Sequence, residues 1–315
     1  MAEATTVDVM VSEVGPRDGL QNIDTSMPTA LKQRWIRALA RSGLREIEVG
    51  SFVNPKLLPQ MADTAMAVEA GLQVPGLTVM ALAPNLKGVR AAAEAGVHKV
   101  SLPVSASASH SMSNIGMTTE QAVEQVADIV AFRDSNERHF NVEAGISTAF
   151  GCTMDGAVSE DHVIRMAVRL VELGADTVGL SDTTGYGNPV QVKRMFARLI
   201  DEIGDRTGGA HMHNTRGQGL ANVLAALDAG ITTFDSSLGG LGGCPYAPGA
   251  SGNVVTEDLV FLLESMGLRT GVDLDELVAA REIVREAFPD EPLYGHLADA
   301  GLPKDFHYAQ DRAIA

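Results

Sequence analysis

Two histidines separated by one residue form the most specific chemical pattern in this sequence, His211-Met212-His213. Alternate side chains of a β-strand point to the same face, so on a strand both imidazoles project together. Two imidazoles and a carboxylate from another strand make a plausible ligand set for a divalent cation. The pair therefore predicts a metal site, whereas the other six histidines form no such cluster and are interpreted as structural.

The natural carboxylate partner is Asp18, which follows Pro16 and Arg17. Alone, an Asp before a glycine is more typical of a turn cap. The adjacent Arg17 changes this interpretation, because a guanidinium offers a planar fork of donors to a carbonyl or carboxylate oxygen. The pair indicates that an anionic substrate binds beside a metal.

Further polar residues accompany apolar strand-like runs. Glu48 lies within the segment IEVGSF, and because an unpaired buried carboxylate is costly, we predict an ion pair with Arg17. Asp182, in SDTTGYG, fits equally well a functional residue or an N-cap of the following helix. Thr183 beside it and Gln21 near the first strand are predicted to contact substrate.

A glycine-rich run, GGLGGCPYAPGASGN, covers residues 239–253. It lacks the Lys-Ser/Thr of a phosphate-binding P-loop. So many glycines permit a mobile lid, on which Cys244 is a candidate reactive thiol or an inert small hydrophobe. Cys152 shows no special neighbours and is interpreted as inert.

The elements that must position these residues follow a repeating pattern in which a helical run, a glycine and a short apolar run succeed one another. Eight strands are predicted, near Val7–Val14, Glu46–Ser51, Leu77–Ala83, Lys99–Val104, Asn141–Ser147, Thr177–Asp182, Ala210–Asn214 and Thr232–Ser237. Helical patterns separate them, for example Thr29–Arg41, Glu120–Arg133, Glu160–Leu173, Pro189–Ile203 and Gly219–Ala229.

Eight strands alternating with helices predict a (β/α)8 TIM barrel, with a doubly wound open sheet as the competing fold. In a barrel the polar residues above lie at the carboxyl ends of the strands, where chemistry takes place. Two more helices are expected near Glu257–Ser265 and Leu274–Ala287. We predict one catalytic domain over residues 1–287 and a C-terminal extension over 288–315, packed on the barrel or on a neighbouring subunit.

The charge and composition of the chain limit the kinds of molecule that it is expected to bind. The chain has 315 residues and a formal net charge of −16, which argues against nucleic acid or an anionic membrane surface as a partner. Two cysteines are too few for a disulfide-built secreted scaffold. Neither an apolar run long enough to span a membrane nor a signal-like apolar N-terminus is present, so we expect a cytoplasmic protein.

Five segments together resemble the 3-hydroxy-3-methylglutaryl-CoA lyase family of metal-dependent barrel lyases, which is related to acyl-CoA condensing enzymes. They occur in the family's order and read EVGPRDGLQN (13–22), IEVGSFVNPKLLPQMAD (46–63), SDTTGYGNP (181–189), HMHNTRGQGLAN (211–222) and DSSLGGLGGCPYAPGASGNVVTEDLV (235–260).

The resemblance implies a role for each matching residue. The implied ligands of a divalent cation, Mg²⁺ or Mn²⁺, are Asp18, His211, His213 and Asn253. Arg17 would neutralise the enolate oxygen that develops on the thioester carbonyl, Glu48 would hold Arg17, and Cys244 would lie on the closing loop. Such lyases are commonly dimers, so a homodimer or higher homo-oligomer is expected.

The implied reaction is a retro-Claisen cleavage of an acyl-CoA. The substrate's hydroxyl and carboxylate would chelate the metal, a base would remove the hydroxyl proton, and the carbon–carbon bond would break to release an acetyl-CoA enolate. His211, Asp18 through water, or Cys244 could then protonate that enolate. The expected substrate is 3-hydroxy-3-methylglutaryl-CoA; a related thioester such as citramalyl-CoA, or a non-catalytic acyl-CoA- and metal-binding barrel, are the alternatives.

Two departures from the family bear on the substrate. Asn214 and Arg216 replace an acid and an aromatic residue of the usual HxHDTYGQ motif. Arg216 is predicted to contact a substrate carboxylate or a CoA phosphate, or to be a solvated loop residue. After the fourth strand, Ala108 and Met112 stand where the family carries charged residues.

Overall fold

The computed structural model describes residues 7–242 and 252–311. Within them, eight parallel strands pair in chain order, and β1 pairs with β8, so that the sheet closes on itself. The strands are β1 Met10–Glu13, β2 Glu46–Ser51, β3 Thr78–Leu82, β4 Lys99–Ser105, β5 Asn141–Ser147, β6 Thr177–Ser181, β7 Thr207–His211 and β8 Thr233–Ser236. This closure confirms the (β/α)8 barrel and excludes the open doubly wound sheet.

Helices cover the outside of the barrel and bury apolar side chains against the strands. Their bounds are α1 Thr29–Arg41, α2 Thr64–Leu72, α3 Leu86–Ala95, α4 Ala108–Ile115, α5 Thr119–Ser135, α6 Glu160–Glu172, α7 Pro189–Ile203, α8 Gly219–Asp228, α9 Thr256–Ser265, α10 Leu274–Ala279, α11 Arg281–Ala287 and α12 Leu297–Ala300. Among the described residues, no helix is long and apolar enough to cross a bilayer.

The seventh strand lies three residues earlier than predicted, because it covers Thr207–His211 instead of Ala210–Asn214. The glycines at 208 and 209 read as a loop in the sequence, but they permit close approach to β6. A Cβ atom on Gly179 of β6 would lie 2.6 Å from the carbonyl oxygen of Gly209. His213 therefore lies beyond the strand, where it forms an isolated bridge with Asn253.

A single π-helical turn, Gly15–Gly19, follows β1 directly. A Cβ atom on Gly15 would lie 2.5 Å from Oε1 of Glu13, so only glycine fits there without displacing that carboxylate. Pro16 then begins the turn, and its fixed φ suits the first helical position. The turn carries Arg17 and Asp18 across the mouth of the barrel instead of along its wall.

The opposite end of the barrel is filled by an ion cluster. Lys99, at the start of β4, lies 2.8 Å from Glu46 of β2 and 3.1 Å from Glu143 of β5. Thr177 of β6 adds a hydroxyl at 3.4 Å from Glu143. These side chains occupy the barrel axis near the strand N-termini, as side-chain layers do in such barrels.

The C-terminal residues pack on the barrel in the part that the structure describes, 288–311. Tyr294 donates its backbone N–H to Gly239 at 2.7 Å, and His296 donates to Asp258 at 2.9 Å. Farther along, Ala309 donates to Glu264 at 2.7 Å. The predicted single helix over 274–287 is instead two helices that meet at Ala280. The division into domains at residue 287 stays a prediction.

Candidate active site

Three side chains from distant parts of the sequence meet at the mouth of the barrel. Asp18, His211 and His213 each offer one ligand atom, and these atoms lie within 4.8 Å of one another. The Nε2 atoms of the two imidazoles face each other at 3.0 Å. His211 Nε2 lies 3.9 Å from Oδ2 of Asp18. Nitrogen and oxygen atoms that converge in this way are typical of a divalent-cation site.

Asn253 completes the cluster from the far side of the glycine-rich loop. Its Nδ2 donates to Oδ2 of Asp18 at 2.7 Å, and its buried Oδ1 has no hydrogen-bond partner within residues 7–242 and 252–311. An unpaired buried acceptor is costly unless a ligand engages it. One carboxylate, two imidazoles and one amide oxygen therefore make a donor set that fits a divalent cation, and metal binding by these four residues stays a prediction.

The protonation states of two ligands suit a cation. Burial alone would raise the pKa of Asp18, but Arg17 and the two imidazoles outweigh it and hold the pKa at about 2. Burial, reinforced by His211, lowers the pKa of His213 to about 3. Asp18 is therefore ionised and His213 neutral near pH 7, the forms in which both side chains bind metal.

Arg17 is held beside this cluster by two carboxylates. Its Nε donates to Glu48, and its Nη1 donates to Asp18 at 2.6 Å. Glu48 also accepts a hydrogen bond from the hydroxyl of Ser101 on β4. The predicted Arg17–Glu48 ion pair is confirmed, and Nη2 of Arg17 donates to no described residue. The guanidinium thus keeps free donors for an oxygen in the barrel mouth.

Asp235 is a site residue that the sequence reasoning missed. It lies on β8 in register with His211 of β7, and its Oδ2 lies 3.0 Å from Nδ1 of His211. Burial alone would lower the pKa of His211, but the hydrogen bond with Asp235 and the negative charges of Asp235 and Asp18 together outweigh burial and raise the pKa. A carboxylate on one imidazole nitrogen fixes the ring so that the other nitrogen faces the ligand. Alternation along β8 could have revealed it, since Thr233 and Asp235 share a face.

A cavity of about 1190 Å³ opens over the cluster. Arg17, Asp18, Glu48, His211 and His213 line it together with Asp235. Its lining also includes apolar side chains and polar ones, among them Leu57, Leu58, Pro84, Met112, Asn85, Lys87 and Asn114. The cavity therefore joins a charged floor to an entrance with both apolar and polar groups.

Of the other predicted residues, some line the cavity and others do not. Gln21 and Thr183 line it, and Gln21 donates to Asp18 at 2.8 Å. Asp182 instead accepts backbone hydrogen bonds from Tyr186 at 2.8 Å and Gly187 at 3.1 Å, which holds its own loop.

Arg216 stabilises that same loop. Its guanidinium lies 4.6 Å from the ring centre of Tyr186 and donates to two carbonyls, those of Thr184 at 2.8 Å and Gly185 at 3.0 Å. It does not line the cavity described above, and neither does Asp182. A substrate contact by either residue stays a prediction. Cys244 lies outside the described residues.

The fold and the site define a class of protein, a (β/α)8-barrel enzyme with a candidate divalent-cation site and an arginine at its mouth. Comparison with known proteins gives the family. The profile of the HMGL-like family matches residues 8–284. The chain therefore belongs to this family of metal-dependent carbon–carbon lyases, as the sequence resemblance predicted.

Named relatives cover most of the chain. The 3-hydroxy-3-methylglutaryl-CoA lyase (cytoplasmic) of Rattus norvegicus is 41% identical over 281 residues, which are 89% of this chain and 81% of the rat protein. The hydroxymethylglutaryl-CoA lyase YngG of Bacillus subtilis is 41% identical and shares 88% of this chain and 92% of its own length.

Solved structures agree with these matches. The HMG-CoA lyase of Bacillus subtilis superposes with a TM-score of 0.88 at 38% identity, over 93% of this chain and 98% of that one. An HMG-CoA lyase of Acinetobacter baumannii, in complex with coenzyme A and 3-methylmalate, has a TM-score of 0.88 at 39% identity, over 95% of this chain and 97% of that one.

Proposed function

We propose that this lyase cleaves 3-hydroxy-3-methylglutaryl-CoA to acetoacetate and acetyl-CoA. One observation carries the proposal: the buried Asp18–His211–His213 cluster lies beside a guanidinium with free donors, in one cavity. The relatives that carry the names of such lyases are about 41% identical over nearly nine-tenths of the chain.

The cavity suits an acyl-CoA. Its volume of about 1190 Å³ is at the upper end of ligand pockets, which span roughly 300–1,000 Å³. The acyl group fits the charged floor, and the pantetheine arm, which has methyl and amide groups, fits the entrance near Leu57, Asn85 and Met112. The complex of the Acinetobacter relative with coenzyme A supports an acyl-CoA as the class of ligand.

The metal ligands would be Asp18, His211, His213 and Asn253. A divalent cation held by them would supply Lewis-acid stabilisation of negative charge on substrate oxygens. We propose Mg²⁺ or Mn²⁺ in this site, with the two imidazoles shifting its affinity toward Mn²⁺. Asp235 keeps the ring of His211 oriented by binding Nδ1.

Arg17 would act on the thioester carbonyl. Glu48 and Asp18 fix two of its nitrogens, so the remaining Nη2 donors are preorganised for the oxygen on which charge develops when the C2–C3 bond breaks. Donors that are fixed before the reaction stabilise such an enolate without reorganisation. The hydroxyl proton must leave and a proton must reach C2, with His211, Asp18 and Cys244 as the candidate carriers.

The test is an assay of acetyl-CoA release from the metal-depleted protein, the Mg²⁺-loaded protein and the Mn²⁺-loaded protein. We expect release only from the loaded forms, and faster from 3-hydroxy-3-methylglutaryl-CoA than from citramalyl-CoA. The variant His213→Ala should lower metal affinity by about 10–100-fold or more, whereas His139→Ala, at an exposed position, should leave it unchanged. Release that survives exhaustive chelation would contradict the metal site. Faster release from citramalyl-CoA would show that citramalyl-CoA, and not 3-hydroxy-3-methylglutaryl-CoA, is the better substrate.

A homodimer and a cytoplasmic location are also proposed, on the basis of the family resemblance and the sequence. The named relatives include cytoplasmic and mitochondrial lyases. Light scattering on a sizing column would test the dimer, because a mass of one chain at micromolar concentration would contradict it.

A further inference from the structure

One wall of the cavity contains a gap where a side chain is missing. Glu143, Gly145 and Ser147 alternate along β5 and line the cavity. A Cβ atom on Gly145 would meet only Oγ of Ser181, at 3.9 Å. The wall between β5 and β6 is therefore open at Gly145.

Neither backbone geometry nor packing requires glycine at this position. Gly145 is absent from the residues with positive φ, so any L-residue could adopt its conformation. By contrast, a Cβ on Gly179 would lie 2.6 Å from a backbone oxygen, and one on Gly209 would lie 3.2 Å from Thr233. Glycine inside a strand is less stabilising than alanine, and it often marks a place where a ligand approaches the backbone.

Two hydroxyl groups flank the gap, and neither has a partner among the described residues. The Oγ atoms of Ser147 and Ser181 line the cavity and form no hydrogen bond with any described residue. The neighbouring serines of β4 differ in this respect, because Ser101 donates to Glu48 and Ser105 lies 2.9 Å from a ring nitrogen of His110. The gap is thus bordered by hydrogen-bonding groups that are available to a ligand.

This wall adjoins the place where the reacting carbon must lie. Ser181 of β6 is in register with His211 of β7, and neighbouring strands are roughly 4.8 Å apart. The hydroxyl-bearing carbon of the substrate belongs beside His211 under the proposed function. A substituent on that carbon can therefore extend over Ser181 into the gap at Gly145.

Local charge favours a neutral group. The carboxylates of Glu48 and Glu143 also line this part of the cavity. Each is already paired with a cation, Glu48 with Arg17 and Glu143 with Lys99. A second carboxylate on the substrate would meet like charge here, whereas a hydroxyl could bind to Ser147 and Ser181.

We propose that Gly145, Ser147 and Ser181 form a specificity subsite for a hydroxyl-bearing substituent, larger than methyl, on C3 of the 3-hydroxyacyl-CoA. The inference rests on the proposed function and narrows its substrate class. The chemistry is unchanged: the C3 hydroxyl loses its proton and becomes a carbonyl as C2–C3 breaks, and C2 gains a proton to give acetyl-CoA and a hydroxylated keto acid.

The experiment compares kcat/KM of the metal-loaded enzyme for 3-hydroxy-3-methylglutaryl-CoA and for its analogue with hydroxymethyl in place of methyl. We expect the analogue to be preferred by about 10-fold, the equivalent of one or two net hydrogen bonds. Gly145→Val fills the gap and should lower kcat/KM for the analogue about 10-fold or more, with a change below about 3-fold for the methyl thioester.

Further variants separate the subsite from folding effects. Gly145→Ala has room for its Cβ and should fold normally while lowering the preference by a smaller factor. Ser181→Ala should reduce the preference about 5-fold through loss of one hydrogen bond. Ser113→Ala, at an exposed position of the cavity rim, is the matched control and should leave the preference unchanged.

The outcomes are distinguishable. Cleavage of the methyl thioester with no preference for the analogue would overturn the subsite and leave the proposed function intact. A preference that none of the Gly145 and Ser181 variants alters would also overturn it. Cleavage of neither thioester by the loaded wild-type enzyme would refute the proposed function, and the subsite with it.

Discussion

Two buried carboxylates only five positions apart behave in opposite ways. Glu13 ends β1 and accepts hydrogen bonds from the N–H groups of Gly15 at 2.8 Å and Leu238 at 3.0 Å, and from the hydroxyl of Thr256 at 2.6 Å. Asp18 also accepts hydrogen bonds on both oxygens, from Arg17 and Gln21 on Oδ1 and from Asn253 on Oδ2. Unlike Glu13, however, it lines the cavity and converges there with two imidazoles. Glu13 bonds only to groups that hold β1, β8 and α9 together, so it stabilises the structure.

A similar contrast separates the fully buried Arg281 from the half-buried Arg17. Arg281 pairs with Glu257 and donates to the carbonyls of Tyr294 at 2.9 Å and Leu293 at 3.3 Å, which fastens the C-terminal segment to the base of the glycine loop. Arg17 lines the cavity, and its Nη2 donates to no described residue. Burial of charge is therefore no sign of function by itself; the sign is a charged group that keeps hydrogen-bonding capacity toward the cavity.

The largest expected effect concerns the structural arginine. Arg281→Met leaves Glu257 buried without its cation and should lower the free energy of unfolding by about 3–5 kcal/mol. Arg285→Met is a matched control, because Arg285 pairs with Glu282 at the surface and such pairs contribute about 0–1 kcal/mol. Urea unfolding of the two variants measures both values. Equal losses of unfolding free energy in the two variants would show that the buried pair of Arg281 contributes no more than the surface pair of Arg285.

The functional arginine should behave differently. Arg17→Met removes the donors aimed at the developing enolate and should lower kcat by about 10²–10³-fold or more. The kinetic assay and a urea melt of the same variant separate this effect from unfolding. A near-normal kcat would exclude Arg17 from the reaction.

A pH series tests the structural carboxylate. Burial raises the pKa of Glu13 from its ordinary value of 4.5 to about 8, although its three hydrogen bonds oppose the shift. Between these values the folded protein keeps a proton that the unfolded chain has lost. The unfolding free energy should therefore fall as the pH rises from about 4.5 to 8, by at most about 1.4 kcal/mol per pH unit from this group.

Glu13→Gln should remove that contribution. Burial also raises the pKa of Glu48 and Glu257, so the difference between variant and wild type isolates Glu13. The exposed Glu137→Gln serves as the control. A stability curve of Glu13→Gln that runs parallel to that of the wild type would show that Glu13 is ionised in the folded protein throughout.

The sequence predicted the barrel because the pattern of glycine and apolar run repeats along the chain, and six of the eight strands fall close to their predicted positions. It placed β7 wrongly because Gly208 and Gly209 have no intrinsic strand preference. Their place in the sheet comes from close contact with β6, which no local pattern carries. The first strand is shorter than predicted chiefly because it begins at Met10 instead of Val7, since the N–H groups of Asp8 and Val9 donate to the carbonyl of Arg269 instead.

In the candidate site, residue type and position at a strand end were enough to predict that His211, His213 and Asp18 lie together and that Arg17 pairs with Glu48. Asn253 came from the family resemblance alone, since nothing in a single Asn after a glycine run predicts its contact with Asp18. Asp235 and Ser101 required the register between neighbouring strands. The gap at Gly145 could not be predicted from the sequence, because it depends on which atoms surround the position of the missing Cβ.

The ion cluster at the base of the barrel has a consequence for product release. Lys99, Glu46 and Glu143 occupy the barrel axis near the N-terminal ends of the strands, whereas the cavity lies at the opposite end. Under the proposed function, the keto acid forms at the charged floor, and the coenzyme A half is proposed to lie at the entrance. With that orientation, we expect acetyl-CoA to leave before the keto acid.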